Sequence, residues 1–530
     1  MPLMTAQEAR IRELESQLAE RDEMIGSLQN SIDELNRLVT NLTEIITQMR
    51  RDKFGPSSEK TVITDGSSEQ LSLFNEVELE AAGKAEEPVE RDSKGKLKPK
   101  AKSVRKIQII KDLPVTEVLC EAQDEALTCP RCHTDLKVLG KEYVREEIEY
   151  IPAQLRILRY YRYSYECPAC KHTDKPYIIK AGVPTSLMNH SPASPSSVAN
   201  VMYQKYVNGV PLYRQEKDWE RMGIILSRAT MANWTIKCSE DYLAPVVSHM
   251  RDLLLKRDVL HADETPVQVL KEPGKKPQTK SYMWLYRTGN DGEAPIILYD
   301  YRPSRSGDNA EEYIKGFSGY LHTDGYSGYN KLTGVTRCGC WAHLRRKFDE
   351  ALPIGKASEA NGSYAQQGIA YCNKLFKIEA DLTDMSPEDR YNKRLELEKP
   401  VLEAFWSWLD LFVPLRGSKL ATAVTYARNQ KPYLENYLLD GRCSLSNNIA
   451  ENAIRPFVTG RKNWLFADTP KGASASAMIY SIVETAKANG LDVFLYLEQL
   501  LRHMADWDHS TEYLDELMPW SDSMQEVCKK

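Results

Sequence analysis

The chain has 530 residues, which is too long for one compact core and predicts several domains. With 42% hydrophobic and 27% charged residues, its composition is ordinary for a soluble globular protein. The formal net charge of −5 excludes a protein coated in positive charge, and no run approaches the roughly 18 apolar residues of a membrane span. Eleven cysteines, an odd number, do not suggest a disulfide framework, and no apolar signal-peptide core opens the chain, so we expect a cytoplasmic protein without a membrane partner.

A heptad pattern of apolar residues runs through the N-terminal segment. It extends from Ile11 to Met49, Arg21 is its one polar interruption, and no proline intervenes. The pattern predicts a coiled coil over residues 1–50 and favours a homo-oligomer, although a single amphipathic helix on the protein's own surface is the alternative. Residues 51–105 lack periodicity and contain an acidic and a basic tract, which predicts a charged linker.

Two Cys-x₂-Cys pairs lie within a strand-rich segment, residues 106–182. Cys129 and Cys132 form the first pair, Cys167 and Cys170 form the second, and 34 residues separate them. This arrangement is typical of a zinc ribbon-like module, in which four thiolates bind one structural Zn²⁺. Four buried cysteines without metal are the alternative. A zinc deaminase is disfavoured, because its His-x-Glu element has to precede the Pro-Cys-x-x-Cys element.

Residues 183–256 have the pattern of several helices joined by short turns. Ser227 is placed to cap a helix that begins at Arg228. Helix, short turn and helix is the order of a helix-turn-helix DNA-binding domain, but a plain helical bundle has the same order, and both interpretations stay open. If this segment binds DNA, the exposed contacts would be Arg228, Thr230 and Asn233.

From residue 257 onward the pattern changes to short strands. The predicted strands are Val259–Leu270, Tyr282–Thr288, Ile296–Tyr301, Tyr320–Thr323 and Thr336–Cys340. A helix is predicted between the third and fourth strands and another after the fifth, which is the element order of the ribonuclease-H-like fold. We therefore predict a multidomain α+β protein. Its remaining segments, in chain order, are the first part of the ribonuclease-H-like catalytic core at 257–351, a helical insertion at 352–440, the core helix with the third acid at 441–470 and a C-terminal helical element at 471–530.

Three carboxylates fall where a two-metal phosphoryl-transfer site needs them. Asp263 lies in the first predicted strand, Asp324 at the end of the fourth, and Glu451 on a helix whose cap is among residues 446–448. The chain has 75 acidic residues, so any three could be selected. Only the positions of these three on the predicted strands and helix distinguish them as a candidate site. A buried carboxylate is costly unless a positive charge meets it, and two Mg²⁺ (or Mn²⁺) ions would supply that charge. Asp263 and Glu264 point to opposite faces of their strand, and we choose Asp263 for the site.

Basic residues close to these acids in sequence are candidate contacts to DNA phosphates. The candidates are Arg345, Arg346 and Lys347 on the helix after the fifth strand, and Arg455, Arg461 and Lys462 on the helix of Glu451. A guanidinium matches phosphate geometry. An ordinary helical ion pair between Glu451 and Arg455, or a solvated basic face, is the alternative interpretation.

Two further features have a structural and a functional interpretation. Trp464 could stack on a base, although burial in a core is commoner for tryptophan. Cys338, Cys340 and His343 suggest a second metal site, but a strand by itself puts the two cysteines on one face. The chain has no G-x-x-x-x-G-K-[ST] motif, which argues against an ATPase.

Several segments together resemble the transposases of the insertion-sequence sixty-six family, bacterial mobile-element enzymes of the DDE class. They are KFGPSSEK, the paired cysteine motifs, HADETPVQVL, TDGYSGYN, GCWAHLRRKF and NNIAENAIRPFVTGRKNWLF, and they span nearly the whole chain. The resemblance implies that Asp263, Asp324 and Glu451 are the catalytic triad and that the four paired cysteines bind zinc.

The resemblance also implies a function. Such an enzyme binds the ends of its element as double-stranded DNA, cleaves there with metal-bound water, and uses the freed 3′-hydroxyl to attack target DNA. We then expect a nucleoid-associated protein, with a second copy and small accessory proteins of the same element as further partners. Two alternatives stay open: a nuclease of the same fold that hydrolyses without joining, and a DNA-binding repressor or catalytically silent domesticated relative.

Overall fold

The computed structural model describes most of the chain from residue 178 onward and a few segments before it. The described residues are 13–29, positions 31, 32, 34, 35, 39 and 42, and 155–166, 178–352 and 362–529. The zinc ligands predicted at Cys129, Cys132, Cys167 and Cys170 lie outside the described residues, as does the linker predicted at 51–105.

The described part of the N-terminal segment is helical. Residues 13–29 form a helix, in agreement with the helical periodicity of the sequence. Its heptad side chains Leu14, Leu18 and Leu28 are 47%, 62% and 57% exposed, so no other described residue covers them. Burial of this apolar stripe in a second copy of the chain stays a prediction.

A short antiparallel pair of strands lies on either side of the second cysteine pair. Strand β1 (Ser164–Glu166) pairs with β2 (Ile178–Lys180). The strand-rich character predicted for this segment therefore appears in its described part.

Four helices follow in the segment that the sequence predicts to be helical. They are α1 (Pro195–Tyr206), α2 (Leu212–Arg221), α3 (Arg228–Cys238) and α4 (Ala244–Leu254), with a π-helical turn between the last two. Ser227 caps α3, because its side chain accepts a hydrogen bond from the backbone N–H of Thr230. The helix, turn and helix order of α2 and α3 is present, and its use in DNA binding stays a prediction.

A five-stranded mixed sheet forms the centre of the next segment. Its elements are β3 (Val259–Gln268), β4 (Lys280–Thr288), β5 (Ile297–Arg302), α5 (Gly307–Tyr313), β6 (Tyr320–His322), β7 (Thr336–Cys338) and α6 (Trp341–Glu350). The strand order is β5-β4-β3-β6-β7, in which β4 runs antiparallel to both neighbours while β3, β6 and β7 are parallel. All five predicted strands are confirmed.

The end of β7 differs from the sequence prediction. The strand ends at Cys338, two residues before the predicted Cys340, which instead is the N-cap residue of α6. The helix begins at Trp341, whose indole is fully buried and donates to the carbonyl of Leu434 at 2.8 Å. The helix therefore begins where the sequence predicts it, and the strand is shorter because the backbone N–H of Gly339 donates to the carbonyl of Tyr433 at 2.8 Å instead of to a strand.

The region predicted as an insertion is helical where it is described. It contains α7 (Tyr364–Asp381), α8 (Pro387–Leu397), α9 (Lys399–Asp410) and α10 (Lys419–Leu434). Phe405 of α9 packs edge-on against Trp341 and Phe348 of α6, with ring centroids 5.4 and 6.3 Å apart. These aromatic residues belong to a second core that lies on α6.

Five helices complete the chain: α11 (Asn448–Trp464), α12 (Pro470–Ala488), α13 (Val493–Met504), α14 (Thr511–Glu516) and α15 (Asp522–Cys528). One hydrophobic core joins α1–α4, the sheet and α11–α15, so segments that are far apart in sequence are buried together. None of the described helices combines the length and apolar character required to cross a membrane.

Helix α12 covers the outer strand of the sheet with side-chain hydrogen bonds. The hydroxyl of Thr485 accepts from the backbone N–H of Ile297 at 3.0 Å and donates to its carbonyl at 2.8 Å. The hydroxyl of Ser481 accepts from the backbone N–H of Tyr299 at 2.8 Å. The outer edge of β5 has no neighbouring strand, and a helix from the C-terminal element satisfies its backbone polar groups instead.

Arg394 anchors the chain where it returns from the insertion. Its fully buried guanidinium binds both carboxylate oxygens of Glu379, at 2.6 and 2.8 Å. It also donates to the carbonyl oxygens of Tyr437, Asp440 and Cys443 at 3.0, 3.1 and 2.8 Å. One side chain on α8 thus fixes the segment that leads into α11.

We expect Arg394→Met to lower the unfolding free energy by about 3–5 kcal/mol, because it leaves Glu379 poorly solvated without a partner. Lys393→Met is the matched control, since the neighbouring Lys393–Glu396 pair is 44% and 61% exposed and contributes at most about 1 kcal/mol. Urea unfolding followed by tryptophan fluorescence measures both variants. Equal loss of stability in the two would contradict the anchoring role.

Candidate active site

The sheet brings the first two predicted acids to the same edge. In the parallel pair of β3 and β6, His261 is opposite His322, and the two rings are stacked with centroids 4.3 Å apart. Asp263 and Asp324 each follow two residues later. Neighbouring strands are about 4.8 Å apart, so the two carboxylates lie side by side at the carboxyl ends of adjacent strands.

Asn447 attaches the helix of Glu451 to the first of these strands. Its fully buried amide nitrogen donates to the carbonyl of Ala262 at 2.8 Å, and its amide oxygen is 2.9 Å from Nδ1 of His261. Because the amide oxygen is the acceptor, Nδ1 of His261 carries the proton. Asn447 is the N-cap residue of α11, within the predicted range, but its side chain binds β3 instead of capping the helix. Glu451 lies in the first turn of α11 and is thereby held beside β3.

The carboxyl group of Asp263 has a strongly raised pKa. Its pKa is raised to about 8, first by burial and then by the negative charges of Glu264, Asp324 and Glu451. The one hydrogen bond that the described residues give its carboxylate comes from the backbone N–H of Glu264 at 2.8 Å. Asp324 and Glu451 are therefore close enough to disfavour the ionised form of Asp263, and a cation would relieve this repulsion.

Glu264 is held differently from Asp263. Its carboxylate accepts two hydrogen bonds from Arg305, at 2.8 and 2.6 Å, and one from the hydroxyl of Tyr329 at 2.5 Å. The side chain is 1% exposed and already has a positive partner. This arrangement agrees with placing Asp263, rather than Glu264, in the site.

Asp324 is fixed by a buried arginine that the sequence analysis missed. Arg337 on β7 donates to the backbone carbonyl of Asp324 at 2.5 Å and to the hydroxyl of Thr323 at 2.7 Å. Oδ1 of Asp324 accepts from the backbone N–H of Tyr326 at 2.9 Å. The available signal was an arginine in a short strand that is otherwise buried, but its partner could not be inferred from local sequence.

Glu451 has one carboxylate oxygen that is paired and one that is not. Oε2 accepts from Arg346 of α6 at 3.4 Å. Oε1 is buried and has no hydrogen-bond partner among the described residues, and it lies 3.6 Å from Nδ1 of His343. Burial lowers the pKa of His343, so its neutral ring does not neutralise the carboxylate. Glu451 pairs with α6, not with Arg455 on its own helix.

The three residues Cys338, Cys340 and His343 do not form one group. Cys340 and His343 lie close to Glu451, with the three donor atoms within 4.8 Å of one another. Cys338 lies instead in a separate buried group with His322 and Cys443. The expectation that a strand would put both cysteines on one face is wrong, because β7 ends before Cys340. Burial raises the pKa of the Cys340 thiol to about 11, and its sulfur accepts the backbone N–H of Asn447 at 3.2 Å.

The predicted DNA contacts on α3 differ in exposure. Arg228 and Asn233 are exposed, whereas Thr230 is half-buried and its hydroxyl lies 2.9 Å from that of Ser227. Thr230 is thus less exposed than Arg228 and Asn233 because it takes part in the cap of its helix, and the contact of all three with DNA stays a prediction. Among the described residues, no hydrogen bond or salt bridge links these side chains to the three acids.

The basic residues near Glu451 are partly engaged within the protein. Arg345 donates to Asn373 at 2.7 Å, and Lys347 is 3.6 Å from Glu350. Arg346, which contacts Glu451, is still 54% exposed and available to a phosphate.

On α11, Arg455 and Lys462 are exposed, while Arg461 is half-buried and burial lowers its pKa. Trp464 is half-buried against Tyr206, with ring centroids 6.2 Å apart. Packing within the protein already covers part of its ring, and its stacking on a base stays a prediction.

The raised pKa of Asp263 predicts how stability depends on pH when divalent cations are absent. Its ordinary value is 3.8, so between about pH 4 and pH 8 the folded state keeps a proton that the unfolded state has lost. The unfolding free energy then falls by about 1.4 kcal/mol for each pH unit in that window. Asp263→Asn should remove this loss, and thermal unfolding of both proteins at pH 5 and pH 8 without added divalent cations measures it. An identical pH dependence in the two proteins would contradict it.

Comparison with known proteins assigns the chain to a family. A family model described as "Transposase IS66 family" matches residues 190–475, more than half of the chain. Three further models match: "zinc-finger binding domain of transposase IS66" at 127–171, "IS66 C-terminal element" at 481–520 and "Transposase C of IS166 homeodomain" at 41–118. The zinc-finger match includes all four predicted zinc ligands.

The chain is also similar to two proteins of Sinorhizobium fredii (strain NBRC 101917 / NGR234). It is 30% identical to "Uncharacterized protein y4qI" over 527 residues, which are 96% of this chain and 93% of that protein. It is 26% identical to "Uncharacterized protein y4jD" over 510 residues, which are 93% of this chain and 97% of that protein. From the matching family models and these full-length similarities, the chain belongs to the IS66 transposase family.

Proposed function

We propose that this protein is an active DNA transposase, which binds the ends of its element, cleaves DNA strands there and joins them to target DNA. The observation that carries the proposal is the convergence of Asp263, Asp324 and Glu451: the pKa of Asp263 is raised to about 8, first by burial, and the charges of Asp324 and Glu451 contribute to the rise. Family membership supports DNA as the substrate. The strand order β5-β4-β3-β6-β7, with acids on β3, after β6 and on α11, supports a ribonuclease-H-like catalytic core.

The residues of the site fit divalent cations. Asp263, Asp324 and Glu451 are partly buried, and the charges of Asp324 and Glu451 disfavour the ionised form of Asp263. Together with the unpartnered Oε1 of Glu451, they form an environment that a positive charge would stabilise. Asp263, Asp324 and Glu451 would hold the ions. Two bound Mg²⁺ or Mn²⁺ ions would activate the attacking oxygen and stabilise the leaving oxygen of the phosphoryl group.

The remaining side chains of the site orient the acids and the DNA. Arg337 fixes the backbone of Asp324, and Asn447 fixes the helix of Glu451. Arg346, with more than half of its side chain exposed, would contact a phosphate beside Glu451. The exposed Arg455 and Lys462 extend this basic surface along α11.

Three further parts of the proposal concern regions outside the site. The exposed Arg228 and Asn233 of α3 would contact the element ends. The apolar heptads of the N-terminal helix would pair two copies of the chain, as synapsis of two DNA ends requires, or dock a small accessory protein. The four paired cysteines would hold one structural Zn²⁺.

Replacing the acids tests the proposed reaction. Asp263→Asn, Asp324→Asn and Glu451→Gln should each reduce DNA cleavage more than about 100-fold, because changes outside the ligand shell alone cost about 10–100-fold. Binding of element-end DNA should persist. Asp349→Asn, an exposed acid on α6, is the control and should cleave normally.

A strand-transfer assay with element-end DNA and Mg²⁺ or Mn²⁺ separates the proposal from its two alternatives. Joined product supports a transposase, whereas cleavage without joining identifies a nuclease. A mobility shift with neither product identifies a repressor or a catalytically silent relative. Wild-type activity in one of the acid variants would remove that residue from the site.

Metal analysis tests the zinc module. Purified protein should contain about one Zn²⁺ per chain, and Cys129→Ser or Cys167→Ser should lose it. Removal of zinc should make residues 106–182 sensitive to protease, since metal binding and folding are coupled in such modules. Cys372→Ala, a buried cysteine of α7, is the control and should keep the zinc. Folded, active protein without zinc would contradict the assignment.

A further inference from the structure

Two buried polar atoms face each other beside the proposed site without a hydrogen bond. Nδ1 of His343 and Oε1 of Glu451 are 3.6 Å apart, and neither has a hydrogen-bond partner among the described residues. The separation exceeds the roughly 2.7–3.2 Å of an N–H···O hydrogen bond. Buried polar atoms are normally satisfied, so this pair indicates a missing partner between them.

The separation suits two ligands of one cation. Ligand atoms about 2.1 Å from an ion and about 90–110° apart around it are about 3.0–3.4 Å from each other. Small side-chain rotations would bring His343 and Glu451 from 3.6 Å into this range. Both residues lie in the first turns of helices, α6 and α11, whose starts are held together through Cys340 and Asn447.

Two other groups close to Glu451, Cys340 and Arg346, already have partners within the protein. The sulfur of Cys340 already accepts a backbone hydrogen bond from Asn447, so it positions the helix. Arg346 contacts the other oxygen of Glu451, Oε2, at 3.4 Å. Oε1 and the imidazole nitrogen are the two atoms that remain to bind an ion.

We propose that Nδ1 of His343 is a ligand of the cation that Glu451 binds, so that this position is a mixed nitrogen and oxygen site. The proposal rests on the proposed function, in which Glu451 holds a divalent cation. Imidazole favours first-row transition metals, whereas carboxylate and water suit Mg²⁺. The site therefore selects Mn²⁺ over Mg²⁺ more strongly than three carboxylates would.

Pulsed electron paramagnetic resonance of Mn²⁺ bound to the full-length, zinc-loaded and tag-free protein tests the ligand directly. The wild-type spectrum should contain the hyperfine coupling of a directly bound imidazole nitrogen, and His343→Asn should lose that coupling. The same variant should bind Mn²⁺ at least about tenfold more weakly. Its Mg²⁺ affinity, measured by competition against Mn²⁺, should change less.

Two further variants make the result specific. His343→Asp offers an oxygen ligand and should keep Mn²⁺ bound without nitrogen coupling, with a smaller preference over Mg²⁺. Cys340→Ser keeps a hydrogen-bond acceptor and should retain the wild-type nitrogen coupling and affinity. Thermal unfolding of each variant verifies that the fold is preserved.

The outcomes separate this inference from the proposed function. If Mn²⁺ binding requires Glu451 but the nitrogen coupling is absent from the wild type, or persists in His343→Asn, the inference is overturned and the carboxylate site stands. If Mn²⁺ binding is unaffected by Glu451→Gln, both proposals fail. Loss of the coupling in His343→Asn alone supports the inference.

Discussion

The amide of Asn447 is the contact on which the geometry of the candidate site depends. Glu451 reaches the sheet only after a long helical insertion, so nothing local in sequence holds it near Asp263. Asn447 solves this by donating to the backbone of β3 at Ala262 and accepting from His261, while its own N–H binds Cys340. The N-cap residue of α11 thus connects this helix to β3 and to the start of α6.

Two buried arginines also fix the backbone around the candidate site. Arg394 holds three carbonyl groups of the returning segment, and Arg337 holds the backbone of Asp324. Both guanidiniums are buried, and both bind main-chain oxygens. The protein therefore fixes the positions of its acids through backbone geometry, which leaves the carboxylates themselves largely unpaired and able to receive cations.

The sequence predicted those parts of the fold that leave a local signal. Strand periodicity identified β3 to β7, and turn residues bounded them, so the positions of Asp263 and Asp324 at one sheet edge followed. The end of β7 was missed because the backbone of Gly339 binds Tyr433 of the distant helix α10 instead of a neighbouring strand, a contact that local sequence does not reveal. Arg337 and His343 were missed as partners of Asp324 and Glu451 because each contact joins segments whose proximity depends on the folded insertion. The zinc ligands, the pairing of chains and the DNA contacts stay predictions.

The hydrogen bonds from Ser481 and Thr485 to β5 have a consequence for shortened copies of this protein. An outer strand with unpaired backbone groups is a template for aggregation. Here the groups are covered by a helix that is synthesised about 180 residues after the strand it protects. A chain that stops before α12 would keep the sheet, Asp263, Asp324 and Glu451, yet expose a bare strand edge and the apolar core beneath it. Such truncated proteins would be removed as aggregates or by proteases instead of competing with intact copies for DNA.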